Sequence, residues 1–196
     1  MPRGRPRQFN EDDALTSAML LFWEKGLSAT SLDDLALAMN MNRPSIYNAF
    51  GSKNDLYRKT LARFCSQLDG GLQEILDAAP KVRPAFIAFF NQAIEVYCGN
   101  NPPMGCLMIC TAPAEALSHP QVGDDLRDLI RRLDDGFARR LQRAQRDGEV
   151  SRDLQPKLAA KLLQATLQTL ALRARSGASK ASLRKIARYA VEELAR

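Results

Sequence analysis

One histidine, His119, stands in the whole 196-residue chain. A triad of serine, histidine and acid needs a histidine beside its nucleophile, and most histidine metal sites need several, so this scarcity leaves little room for either. Four cysteines at irregular positions, Cys65, Cys98, Cys106 and Cys110, are too few for a disulfide scaffold in a chain of this length. No apolar run approaches the ~18–20 residues needed to cross a bilayer. Residues 1–13 carry basic side chains with no apolar stretch behind them, unlike a secretory leader. G-x-S-x-G, G-x-x-x-x-G-K-[ST] and G-x-G-x-x-G are all missing. These absences give the expectation of a cytoplasmic protein that is not an enzyme and has no cofactor, no metal and no membrane partner.

What is present is ordinary globular material: 45% hydrophobic and 26% charged residues, a balance that does not suggest disorder. At roughly 100–200 residues per domain, the length suits one domain or a small domain joined to a moderate one. Lys and Arg number 28 against 22 Asp and Glu, a net charge of +6. A modestly basic chain suggests a polyanionic partner.

Apolar residues recur at spacings of three and four, and no period-two alternation competes, so the expected fold class is all-α with about nine helices. The first helix follows Asn10 as N-cap, with acidic residues 11–13 at the positive end of its dipole, and stops at Gly26. The second follows Thr30 or Ser31. A turn over residues 40–42 leads to a short third helix over 43–50, with Pro44 early in its first turn, where a missing N–H costs nothing. Ser52 caps a long fourth helix running from 53 to about 79, with Gly70 and Gly71 as a soft point. The fifth reaches about 98, and residues 99–103 break the chain. The sixth spans about 106–117 and is disturbed by Pro113. The seventh spans 121–147, the eighth 156–177, and a ninth is capped by Ser179. The expected organisation is a basic arm over 1–9, a helix-turn-helix unit over 10–52 and a larger helical domain over 53–196.

Helix, turn and short helix braced by a preceding helix is an arrangement that enters the major groove of DNA. The second short helix has a polar start. Arg43, its one basic residue, can donate two hydrogen bonds to a guanine edge. Asn42, Ser45 and Asn48 offer further polar contacts. Tyr47 can bond a phosphate while its ring packs inward, and Ile46 and Phe50 anchor the helix. Thr30, Ser31 and Lys53 flank the unit, and Lys53 opens a helix whose N-terminus attracts anions.

This segment resembles the TetR family of bacterial transcriptional regulators. The resemblance is carried by Thr30-Ser31-Leu32-Asp33-Asp34-Leu35-Ala36, by Arg43-Pro44-Ser45-Ile46-Tyr47-Asn48-Ala49-Phe50 and by Gly51-Ser52-Lys53-Asn54-Asp55-Leu56-Tyr57. The family's hallmark is a Tyr-x-x-Phe recognition helix followed by a lysine opening the fourth helix, here Tyr47, Phe50 and Lys53. The resemblance implies an all-α homodimer on a palindromic double-stranded DNA operator, usually a repressor released by a small molecule in the C-terminal domain. It also implies Thr30, Arg43, Ser45, Tyr47 and Lys53 as DNA contacts. The bland alternative is a packed three-helix unit with a solvated polar face.

Ahead of it, Arg3, Arg5 and Arg7 alternate with glycine and proline, which keep the arm extended. Such an arm suits a narrow minor groove, or is a solvated tail. Residues 1–64 hold nine Lys or Arg against seven Asp or Glu, a surplus of +2, so the arm's three charges exceed the surplus of the whole segment.

In the second half, Phe64, Leu68, Phe86, Phe89, Phe90, Ile94, Tyr97, Met104, Met108, Phe137 and Leu141 are candidates to line a site for a small apolar or amphipathic inducer. They are equally what any helical core contains. Cys106 and Cys110 lie one turn apart, and Cys106 follows Gly105 at an expected helix start, where the dipole favours a thiolate. A thiol-based sensor of oxidants, electrophiles or soft metals is therefore an alternative input, against buried cysteines that only pack. For a dimer interface, the eighth helix offers Leu158, Leu162, Ala165, Thr166, Thr169 and Leu170 on one broad face. The ninth offers Leu183, Ile186, Ala187, Ala190, Val191 and Leu194. The alternative is that these helices only close the chain's own core. A helical enzyme has no carboxylate pair to support it, since Asp124-Asp125 and Asp134-Asp135 are adjacent and face apart. A non-specific DNA-coating protein would need many more phosphate contacts than one lone arginine implies.

Overall fold

The computed structural model describes residues 10–194, apart from the side chains of residues 69, 70, 72, 73 and 194. The arginines of the arm, Arg3, Arg5 and Arg7, lie outside the described residues, as does the side chain of Leu194. Nine helices make up the described fold, in two compact units divided between Phe64 and Cys65.

The first unit is built from helices whose ends are written into the sequence. Helix α1 (Glu11–Lys25) starts where Asn10 accepts a hydrogen bond from the Asp12 amide, and it ends at Gly26, whose φ of 81° suits glycine. Helix α2 (Leu32–Ala38) has a capping box: Ser31 accepts from the Asp34 amide and the Asp34 carboxylate accepts from the Ser31 amide. Asn40, at φ 50°, turns the chain into α3 (Arg43–Phe50), where Asn42 accepts from the Ser45 amide. Gly51 closes α3 at φ 85°, and a Cβ there would press on the Asp55 carboxylate at 2.8 Å. That carboxylate is held by the Ser52 amide at 2.9 Å, opening α4 (Lys53–Ala78).

Leu35, Ile46, Phe50, Leu56 and Tyr57 are buried among these helices. Phe22 meets Tyr57 edge to face at 5.1 Å, and Trp23 meets Phe64 at 4.8 Å. These pairs bind the early turns of α4 to α1. The compact unit therefore extends to Phe64, past the sequence-derived boundary at 52.

The second unit holds α5 (Val82–Tyr97), α6 (Leu107–Glu115), α7 (Pro120–Arg146), α8 (Pro156–Arg175) and α9 (Lys180–Leu194). Helix α7 packs along α8, α5 packs on α8 and α9, and α6 on α7 and α8. Phe137 stands edge to face against Phe86 at 5.3 Å and Phe89 at 4.9 Å, and Phe89 against Phe90 at 5.8 Å. Gly105 is a required glycine: its φ is 70°, and a Cβ would strike the Ala171 carbonyl of α8. Glu95 of α5 ties down α9 by accepting from Lys180 at 2.5 Å and Arg184 at 2.6 Å. The helices match the expected order, with ends displaced by a few residues. The largest consequence is at α6, which begins at Leu107, so Cys106 is its N-cap rather than a member of its first turn. Among the described residues no helix is long and apolar enough to cross a membrane.

Candidate nucleic-acid interface

Helix α3 has two unlike sides. Ile46 and Phe50 are fully packed on one, while Asn42, Arg43, Tyr47 and Asn48 are exposed on the other and Ser45 is half-buried. The spacing of Ile46 and Phe50, one turn apart, fixes that rotation and so decides which side chains face outward. Tyr47 is 49% exposed, so its ring stands out from the surface and is not packed inward as the sequence suggested.

Arg43 is the cation of this face, and it is held. Its Nε donates to Oδ1 of Asp33 at 2.9 Å and its Nη2 to Oδ2 at 2.5 Å. That hydrogen bond, and then the charge of Asp33, raises the pKa of Arg43 further above its ordinary value. Asp33, on α2, lies in the stretch that carries the resemblance, but the sequence gives no sign of its pairing with Arg43. Only the fold brings it opposite a residue ten positions later.

Two flanking residues sit differently from expectation. Thr30 is 1% exposed, and its hydroxyl donates to the Gly26 carbonyl at 2.6 Å, so its side chain braces the loop before α2 instead of facing solvent. Lys53 donates from Nζ to the carbonyls of Leu27 at 2.9 Å and Thr30 at 2.8 Å. Two of its three N–H groups are thus engaged with the α1–α2 connection, an architectural role that no sequence signal announced. Ser31 is exposed and serves as the cap of α2. Lys59 lies over the Phe50 ring at 5.6 Å, a basic residue close to the core end of α3.

In the second unit, Phe86, Phe89, Phe90, Ile94, Tyr97, Met108, Phe137 and Leu141 are all buried. Most of them fill the core against one another. Only Phe86 and Leu141 reach a narrow recess with about 10 Å³ of open space, which is shared with Val82, Arg83, Val150, Leu163 and Val191. Leu68 and Met104 are half-buried, and Phe64 belongs to the first unit, against Trp23. An open groove of about 560 Å³ runs beside the start of α8, past Gln142, Leu154, Lys157, Leu158 and Lys161.

The cysteine expectation is corrected. Cys106 is 5% exposed, and burial pushes its pKa up to about 12. The amides of Ile109 and Met108, at the start of α6, pull the other way, as a helix start should, but desolvation outweighs them. Burial raises Cys110 and Cys98 as well. Among the described residues no group of three or more His, Cys, Asp or Glu is placed to hold a metal ion.

The expected interface residues divide. Leu158 and Leu162 are 55% and 56% exposed, Ala165 and Thr169 are exposed, and Thr166 is half-buried. Leu172, exposed as well, extends this outer stripe by another turn and had not been recognised. Leu170, Leu183, Ala187 and Val191 are instead buried within the chain and pack its own core, while Ile186 and Ala190 are half-buried.

Comparison with known proteins agrees with this geometry. Residues 14–60 match the family model described as bacterial regulatory proteins, tetR family, and residues 84–190 match a tetracyclin repressor-like C-terminal domain. The HTH-type transcriptional repressor ComR of Escherichia coli K12 is 30% identical over 186 residues, covering 94% of this chain and 89% of ComR. The repressor BdcR of the same organism is 31% identical over 106 residues, 54% of each chain. Among solved structures, the TetR family regulator CifR, as a cysteine mutant complexed with 26-bp double-strand operator DNA, superposes with a TM-score of 0.89. It is 29% identical and covers 96% of this chain and 98% of its own.

Proposed function

The chain belongs to the TetR family and is a DNA-binding transcriptional regulator, and from that premise we propose that it is a cytoplasmic repressor acting as a homodimer on a palindromic operator. The observation that carries the proposal is α3: a helix fixed by Ile46 and Phe50 with a bare polar side around Arg43. In this reading α3 enters the major groove and Arg43 contacts a guanine edge, with Asn42, Ser45 and Asn48 beside it. Tyr47 and the capped start of α2 at Ser31 take phosphates, which set the register without reading sequence. Thr30 and Lys53 support that surface from behind.

The dimer is proposed through the outer stripe of α8. Leu158, Leu162, Ala165, Thr169 and Leu172 recur at spacings of three and four, and a two-fold axis would set that stripe against its own copy. For the inducer we propose a small apolar or amphipathic molecule entering the recess beside Phe86 and Leu141. With about 10 Å³ of open space, room for roughly one water, the recess is far below the ~300–1,000 Å³ usual for ligand sites, so an inducer would have to widen it on entering.

The test pairs DNA binding with assembly. The full chain should retard a duplex from upstream of its own gene against excess random DNA, and sediment as a dimer. Leu162→Arg should sediment as a monomer and lose specific retardation. A wild-type monomer that retards all duplexes equally would overturn the proposal.

A further inference from the structure

Asp33 has no task in the end of its own helix. Ser31 and Asp34 close the capping box of α2, and Asp34 also pairs with Lys25 at 3.3 Å. Asp33 turns instead to α3 and takes two N–H groups of Arg43. The side chains remain 74% and 54% exposed. An ion pair so open to water contributes little to stability, and it holds two flexible side chains in one geometry, so stability does not account for it.

The effect on the guanidinium does. Its five N–H donors form a rigid fork. The carboxylate occupies the side formed by Nε and Nη2. The end-on edge, Nη1 with the outer N–H of Nη2, stays open and offers two parallel donors. That is the spacing of O6 and N7 on a guanine in the major groove.

We propose that Asp33 is a specificity-determining positioning residue, gripping Arg43 by one side so that its end-on edge is presented to a guanine. The inference rests on the reading of Arg43 as the base contact. Without Asp33 the arginine is free to swing to a phosphate, a contact that adds affinity on any sequence and discriminates none. The carboxylate also repels the DNA backbone, which lowers affinity for sequences where Arg43 finds no guanine.

The experiment uses the full chain and a randomised duplex library. DNA retained by wild type, Arg43→Ala, Asp33→Ala and Asp33→Asn is sequenced, and the recovered wild-type duplex and its single-base variants are then titrated. Wild type should select a guanine at one half-site position, and Arg43→Ala should lose that preference. Asp33→Ala should lose at least roughly 5-fold of the discrimination at the same position, with preferences elsewhere intact. Its affinity for random duplex should be unchanged or higher. Asp33→Asn should fall between, because an amide supplies only one acceptor. In the double variant, Asp33→Ala should cost nothing beyond Arg43→Ala. If Arg43→Ala relaxes the guanine but both Asp33 variants keep it within 2-fold, the proposal fails while the base contact stands. If Arg43→Ala relaxes nothing, the base contact itself fails. Equal weakening of cognate and random DNA by Asp33→Ala, with a lowered melting temperature, would make Asp33 a packing residue and overturn the proposal.

Discussion

In the first unit, Ile46 and Phe50 are buried so that the opposite side of α3 can stay bare; in the second, Phe86, Phe89, Phe90 and Phe137 are buried against one another and leave little space. Both use aromatic burial, but one uses it to orient a surface and the other to fill an interior. A substitution in the second unit should therefore show as lost stability. One on the bare side of α3 should show as altered recognition by a protein that still folds.

Phe137→Ala should have the largest effect, because it removes a ring packed edge to face on two others. A loss of ~3–5 kcal/mol is the usual range for a buried phenylalanine, measured by chemical denaturation. A loss under ~1 kcal/mol would mean that the core already contains open space, and would favour a ligand site there. Arg43→Ala should leave the denaturation curve in place and reduce discrimination at one base pair by roughly 10-fold or more, read by anisotropy titration of matched and mismatched duplexes. If the variant unfolds more easily but discriminates as before, the contrast between the two regions breaks.

Asn42→Ala tests where the two meet, since the side chain both caps α3 and faces outward. Loss of the bond to the Ser45 amide should cost ~0.5–2 kcal/mol of stability, with weaker DNA binding besides. A smaller effect is kinetic. Under native conditions Cys98, the half-buried cysteine that ends α5, should alkylate faster than Cys106, followed by peptide mass spectrometry. Reaction at Cys106 first would reopen the thiol-sensing reading.

The smallest effect expected is at Glu95. The hydrogen bond from Lys180 lowers its pKa below the ordinary 4.5. A carboxylate depressed by folding contributes stability that is complete above that ordinary value and is lost as pH falls through the lowered one. The pair is partly exposed, so the contribution is modest. Glu95→Gln should shift the melting temperature slightly at pH 7, and the shift should shrink as pH falls below the ordinary carboxylate range.

The same contrast explains what could be read in the sequence. Asn10 and Ser52 announced their helices because capping is local chemistry, and Ile46 with Phe50 fixed the exposed side of α3 by simple periodicity. The sequence left Thr30 and Ser31 as alternatives for α2 and did not show Asn42 as the cap of α3. In the second unit periodicity gives an angle but not a neighbour. Both sides of α8 are apolar, so Leu170 and Leu162 looked alike, although one is buried and the other bare. Cys106 misled for a related reason: its position at a helix start was legible, but the burial that outweighs it was not. The grip of Asp33 on Arg43 was invisible because the partner lies on another helix, and the bracing by Lys53 because its acceptors are backbone carbonyls, which no sequence distinguishes.

The claim that α3 presents the DNA-reading surface is tested most directly by amide hydrogen exchange of the full chain, with and without the duplex recovered from the library. The account predicts that DNA slows exchange in peptides covering residues 31–34 and 42–48, and leaves peptides covering the outer stripe of α8 unchanged. Slowing confined to the second unit, with α3 exchanging at its free rate, would contradict it.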